Sequence, residues 1–145
     1  MSPLAALLSE AHRPVAILAA LVVDSWALWF TLGRGGRPTL LLALAANGAS
    51  FAATSLVLVS GALGPEARPF GLAPGTLPQA SPLAWTLAWL CALGAFYGLE
   101  VLVLRQLMRR SRPSFQWDRY DLAVYFAANA FSLGITALDL WWESG

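Results

Sequence analysis

The strings AANGASFAATSLVL at 45–58 and AANAFSLGITALDL at 127–140 are two versions of one pattern, in which Asn47, Ser50 and Thr54 recur in register as Asn129, Ser132 and Thr136. Polar side chains are costly inside apolar helices, so their repetition constrains the architecture more than any single motif. Upstream of each copy stands an arginine-proline turn, RGGRP at 34–38 and RRSRP at 109–113. Upstream of each turn is one acid in an apolar run, Asp24 and Glu100. The chain reads as a duplicated helical hairpin.

Four apolar runs, at 14–32, 39–63, 82–107 and 121–142, are long enough to cross a hydrocarbon core, which takes about 20 helical residues. Of the 145 residues 58% are hydrophobic and 12% charged, about half the charge of an ordinary soluble domain. The expected fold is therefore all-α: a polytopic membrane protein with four transmembrane helices arranged as two duplicated hairpins in one transmembrane domain. The first repeat covers about 14–63 and the second about 82–142. Between them, 64–81 carries prolines at 65, 69, 74 and 78 and reads as an extended linker, since such spacing forbids a helix. A span must satisfy its own backbone, and the runs lack the alternation of a barrel.

The first run carries Asp24 at its middle and no small-residue cleavage pattern follows it, so it reads as a retained span rather than a signal peptide. Residues 1–13 open with a Ser2-Pro3 cap and a short apolar run, read as a segment lying flat on the membrane or a frayed terminus. The second copy differs by seven extra residues at 114–120, SFQWDRY, which enlarge its elbow.

Arginine gives an orientation. The turns after the first and third spans hold Arg34, Arg37, Arg105, Arg109, Arg110, Arg112 and Arg119, against Arg13 and Arg68 elsewhere. By the positive-inside rule both turns are cytoplasmic and both termini are not. Membrane lipid is the expected partner of the basic cluster, although topology signalling alone accounts for it and is preferred. Trp85, Trp89, Trp141 and Trp142 then fall at the outer interface and Trp117 at the inner one, whereas Trp26 and Trp29 lie deeper and call for a packing partner.

At 100° per residue Asn47, Ser50, Thr54 and Gly61 share one stripe of the second span, and Tyr125, Asn129, Ser132, Thr136, Asp139 and Glu143 share one of the fourth. Ala20, Asp24, Ala27 and Thr31 make a small, polar face on the first. A rise of 1.5 Å per residue puts Asp24, Asn47, Glu100 and Asn129 roughly 8 to 14 Å from the arginine turns. These four form a candidate intramembrane polar site. For Ser50, Thr54, Ser132 and Thr136 the preferred reading is interhelical seam. The acids are less easily absorbed, because an ionised carboxylate at a helix centre costs about 2.5 to 3.5 kcal/mol and is by default a functional feature.

Several functions are excluded. There is no lysine for a Schiff base or a phosphate loop, and His12 is the lone histidine, so bis-histidine haem ligation is unavailable. One cysteine, Cys91, leaves neither an internal disulfide nor a thiolate cluster. No hydrolase or dinucleotide fingerprint occurs, and the pattern calls for no catalytic residue, metal, cofactor or nucleic-acid partner. Two classes survive. One is a non-catalytic subunit that assembles with itself or other membrane subunits. The other is a proton- or cation-coupled transporter or channel built on Asp24 and Glu100. The subunit ranks first because four helices leave little room for a solute path; acids facing a polar cavity rather than dry packing would reverse that order.

The orientation is testable by labelling. In a Cys91→Ser background, Gly36→Cys and Ser111→Cys are expected to react with impermeant maleimide only from the cytoplasmic side; labelling from outside reverses the topology.

Overall fold

The computed structural model describes residues 2–33, 36–64, 78–111 and 116–143, with Ser111 and Glu143 described in their backbone only. It contains five helices and, among the described residues, no strand: α1 (Pro3–Glu10), α2 (Pro14–Leu32), α3 (Gly36–Val59), α4 (Pro82–Ser111) and α5 (Arg119–Glu143). The helices α2 to α5 are each long and apolar enough to cross a membrane. Most of the proline-rich linker, at 65–77, lies outside the described residues, as do Arg34 and Arg112.

Local chemistry sets the helix ends. Pro3, Pro14 and Pro82 occupy first-turn positions, where the missing N–H costs nothing. Ser2 Oγ accepts from Ala5 N at 3.2 Å, and Ser81 Oγ accepts from Ala84 N at 3.3 Å. Asp118 and Asp121 form a reciprocal cap before α5: Asp121 N donates to Asp118 Oδ1 at 2.8 Å, and Asp118 N to Asp121 Oδ2 at 3.4 Å. Gly33, at φ 57°, closes α2 with a left-handed cap. The second span is shorter at its far end than its apolar run. Gly61 has φ 72° and stands in the turn after α3, so it leaves the stripe assigned to it from spacing.

The four long helices form a ring. α2 packs chiefly on α5 and α3, and α3 on α4, while the diagonal pairs make no comparable contact. One end of the bundle carries the exposed Arg37, Arg105, Arg109 and Arg110; the other carries α1 and the helix ends near 59, 82 and 143. At the arginine end the core includes Leu28, Ala43, Leu104 and Tyr125.

The N-terminal segment neither frays nor lies flat. Every residue from Ala5 to Glu10 is buried, because α1 is wedged among α3, α4 and α5. Small side chains make the space: Ala88 and Ala137 pack with Leu7, and Ala92 with Ala5 and Leu8. The α4–α5 contact is correspondingly the weakest in the ring. Eight residues of mixed Ala and Leu look alike whether destined for an interface or an interior; the gap that receives them is made by residues about 80 to 130 positions away.

Leu7 is 1% exposed and packs on Ala88 and Leu140, whereas Leu18 is 62% exposed on the outside of α2. Leu7→Ala is expected to destabilise the folded protein in detergent by about 2 to 4 kcal/mol through the cavity it leaves. Leu18→Ala should cost close to nothing, since lipid or detergent is as apolar as leucine. Equal losses in denaturant titrations would show that α1 is not part of the core.

Candidate functional site

Each arginine-proline hairpin carries the same hydrogen-bonded unit. In the first, Asn47 Nδ2 donates to Asp24 Oδ2 at 2.8 Å and to Ala43 O, one turn back on its own helix, at 3.0 Å. In the second, Asn129 Nδ2 donates to Glu100 Oε2 at 3.0 Å and to Tyr125 O at 3.4 Å. The threonines match as well: Thr54 Oγ1 donates to Ser50 O at 2.8 Å and Thr136 Oγ1 to Ser132 O at 3.4 Å. All eight of these polar residues from the two stripes and the two acids are buried.

The two units meet. Asp24, Asn47, Glu100, Asn129, Ser132 and Thr136 line one cavity of about 30 Å³, walled on its apolar side by Phe51 and Phe96. A water needs about 10 to 15 Å³ of such space and two to four polar partners, so the cavity has the size and lining for water but not for a larger solute. Ser50 is buried beside Glu100, whereas Thr54 turns away from the cavity toward His12.

The units are not equivalent. Four residues before Asn129 stands Tyr125, fully buried, whose hydroxyl donates to Glu100 Oε2 at 2.9 Å. Four residues before Asn47 stands Ala43, which has nothing to donate. Glu100 is thus held by an amide and a phenol, and Asp24 by an amide alone, its Oδ1 buried without a hydrogen-bond partner. A carboxyl oxygen buried without a partner is costly, and it singles Asp24 out among the residues that line the cavity. Tyr125 was visible in the sequence as a member of the stripe; its role as a donor depends on α4 presenting Glu100 to it.

Two further polar residues carry no signal in the periodicity. His12 is 2% exposed, with Nδ1 2.6 Å from Leu8 O and Nε2 3.2 Å from both Phe51 O and Thr54 Oγ1. Glu10 is buried and paired with Arg13 at 2.7 Å, and Arg13 reaches the exposed Asp139 at 3.9 Å. An acid three residues before an arginine is a recognisable helical pair, but nothing local shows that it is buried. Arg37, Arg105, Arg109 and Arg110 are exposed at the opposite end, away from the cavity. Among the described residues no group of His, Cys, Asp and Glu is arranged to hold a metal ion.

The asymmetry has a measurable consequence. Asn47→Leu removes the one side-chain donor to Asp24, whereas Tyr125→Phe leaves Glu100 its amide. Asn47→Leu is expected to cost about 1 to 2 kcal/mol and Tyr125→Phe about half as much in detergent unfolding. The reverse order would mean that the phenol, not the amide, carries the layer.

Comparison with protein-family models, with curated proteins and with solved structures found no match to this chain, so its function has to be argued from this carboxyl cavity.

Proposed function

We propose that this is a multi-pass membrane protein of two duplicated hairpins whose carboxyl pair, Asp24 and Glu100, binds and passes protons across the bilayer. The observation that carries the reading is the polar cavity that both acids line, together with Asp24 Oδ1 buried without a hydrogen-bond partner. Intramembrane acids facing a polar space mark proton or ion pathways, and duplicated carriers place such groups where their repeats meet. A proton moves along hydrogen bonds, so a water-sized space serves it where a solute would need more. That removes the objection that four helices offer too little room, and it places proton passage ahead of the subunit role.

The duplication is supported by the pairing of α2 with α5 and of α3 with α4, which an axis along the membrane normal would exchange. It is supported too by the matched Asn-to-acid and Thr-to-Ser hydrogen bonds. With the arginine turns cytoplasmic, α1 and both termini lie on the other side.

The second reading, an assembly subunit, is favoured by one surface. Trp26 and Trp29 are 57% and 52% exposed on α2, and Trp26 stacks on Phe30, which in turn meets Tyr120 at 6.4 Å between ring centroids. More than half of each tryptophan stays uncovered by the described residues, and a second copy or another membrane subunit would cover it.

The test is proton flux into liposomes containing the purified protein. Asp24→Asn and Glu100→Gln are each expected to reduce flux by at least about tenfold while preserving the melting temperature in detergent, because the amides keep the shape of the side chains and relieve a costly burial. Undiminished flux in both variants removes the proton reading. If Trp26→Ala with Trp29→Ala instead dissolves an oligomer without touching flux, the subunit role stands by itself.

A further inference from the structure

The polar stripe of α5 does not stop at the carboxyl cavity. Asn129, Ser132 and Thr136 line that cavity, and Thr136 also lines a second space, with Asp139 and Trp142 of α5 and Val15 and Ala16 of α2. This second space is a groove of about 310 Å³ between the start of α2 and the end of α5. Ala16 and Thr136 border both spaces, so two small side chains stand where cavity and groove adjoin. The α2 side matches. Ala16, Ala20 and Asp24 succeed one another at four-residue spacing on one face of α2, and all three line the cavity. A rise of 1.5 Å per residue puts Asp24 about 12 Å further in than Ala16. At that inner end Asp24 is 1% exposed, with Oδ1 buried and unpartnered.

The outer end of the groove lies where water is available. Ala16 stands in the first turn of α2 and Asp139 near the end of α5, which is the level of the lipid head groups for helices that just span a bilayer. Val15 and Trp142 are exposed on the rim, and the Asp139 side chain is 53% exposed. The charged groups beside Asp139 are Arg13, 3.9 Å away, and Glu10, which pairs with Arg13. Close to the C-terminal end of α5 a carboxylate gains nothing from the helix dipole. The first copy lacks this extension of the stripe: the position equivalent to Asp139 is Val57, and Thr54, the equivalent of Thr136, turns toward His12. Asp139 therefore adds an acid to the second copy alone, at the point where its polar stripe meets water.

We propose that the groove between α2 and α5 is the aqueous entry to the carboxyl cavity on the side of the termini, and that Asp139 is the proton-collecting carboxylate at its mouth. This rests on the proton reading of the cavity. The Thr136 hydroxyl suits the boundary, because its bond to Ser132 O is long, at 3.4 Å, and its own lone pairs can accept from water. In the inward step the carboxylic O–H bond of protonated Asp139 breaks as an O–H bond forms on a water in the groove. The excess proton passes from water to water between Ala16 and Thr136, and the last water protonates the Asp24 carboxylate. Asp139, left ionised, takes its next proton from the bulk.

The experiment uses the full chain in a Cys91→Ser background, which leaves no other thiol. Ala16→Cys and, as a control on the outside of α2, Leu18→Cys are modified in detergent with benzyl methanethiosulfonate and then reconstituted into liposomes. The adduct on Ala16→Cys is expected to remove most of the proton flux, and dithiothreitol to restore it; the adduct on Leu18→Cys is expected to leave flux unchanged. Asp139→Asn should melt as wild type does, since a long, exposed ion pair contributes little. It should lower flux about tenfold in dilute buffer and recover in concentrated buffer, where mobile buffer delivers the protons that the fixed carboxylate no longer collects. A purely structural role would not respond to buffer. Full flux in modified Ala16→Cys, equal loss in modified Leu18→Cys, or an Asp139→Asn flux that buffer leaves unchanged overturns the proposal. The two failures are separable: loss of flux in Asp24→Asn and Glu100→Gln with full flux in modified Ala16→Cys sinks the groove alone, whereas full flux in Asp24→Asn and Glu100→Gln sinks the cavity reading itself.

Discussion

The organising constraint of this protein is that two carboxyls lie in the middle of a bundle that contains no lysine and carries its arginines in turns and near helix ends. Their desolvation therefore has to be offset by neutral donors, and each neutral donor is worth only about 0.6 to 2 kcal/mol in a membrane. That requirement explains the two asparagines. Each sits on the helix following its acid, and donates at once to that acid and to a carbonyl one turn back on its own helix. The amide thus holds one oxygen of its carboxyl partner, ties two helices of a hairpin, and has its own rotamer fixed. Helix pairing and acid burial are one problem with one solution.

The two hairpins do not hold their acids alike: one carries an aspartate and the other a glutamate, and their donors differ as well. Where the second copy has Tyr125 the first has Ala43, so Glu100 gains a phenolic donor and Asp24 keeps an unmatched oxygen. Two carboxyls with different donor sets are chemically distinct, and on the proposed proton role that distinction would give passage a direction. The seven-residue enlargement of the second elbow belongs to the same departure. Trp117 from that elbow packs edge-on against Tyr125 at 5.7 Å, backing the phenol on the arginine side.

Much of this was legible in the sequence, because polar residues repeating at helical spacing inside apolar runs are conspicuous. Asp24, Asn47, Glu100 and Asn129 could be placed in one layer from helical rise alone, and the structure brings all four to one cavity. The end of α3 was less legible, since Gly61 matches the angular stripe and only its positive φ removes it from the helix. What could not be read was α1. Its burial is decided by alanines on α4 and α5, and with it go the burial of Glu10 and the environment of His12. Periodicity reports on the face of one helix; it carries no information about a gap between two others.

That unread segment is also what distinguishes the two ends of the cavity. Toward the arginine end stands Tyr125, held by its bond to Glu100. Toward the terminal end the cavity is lined by Ala11, next to the turn at His12, whose ring is held by main-chain carbonyls and one threonine. Displacing the phenol would strip Glu100 of a donor in an interior that offers few substitutes. The short helix and its turn therefore make the two ends of the cavity unlike, and on the proposed proton role that difference would set the side from which the buried acids are reached.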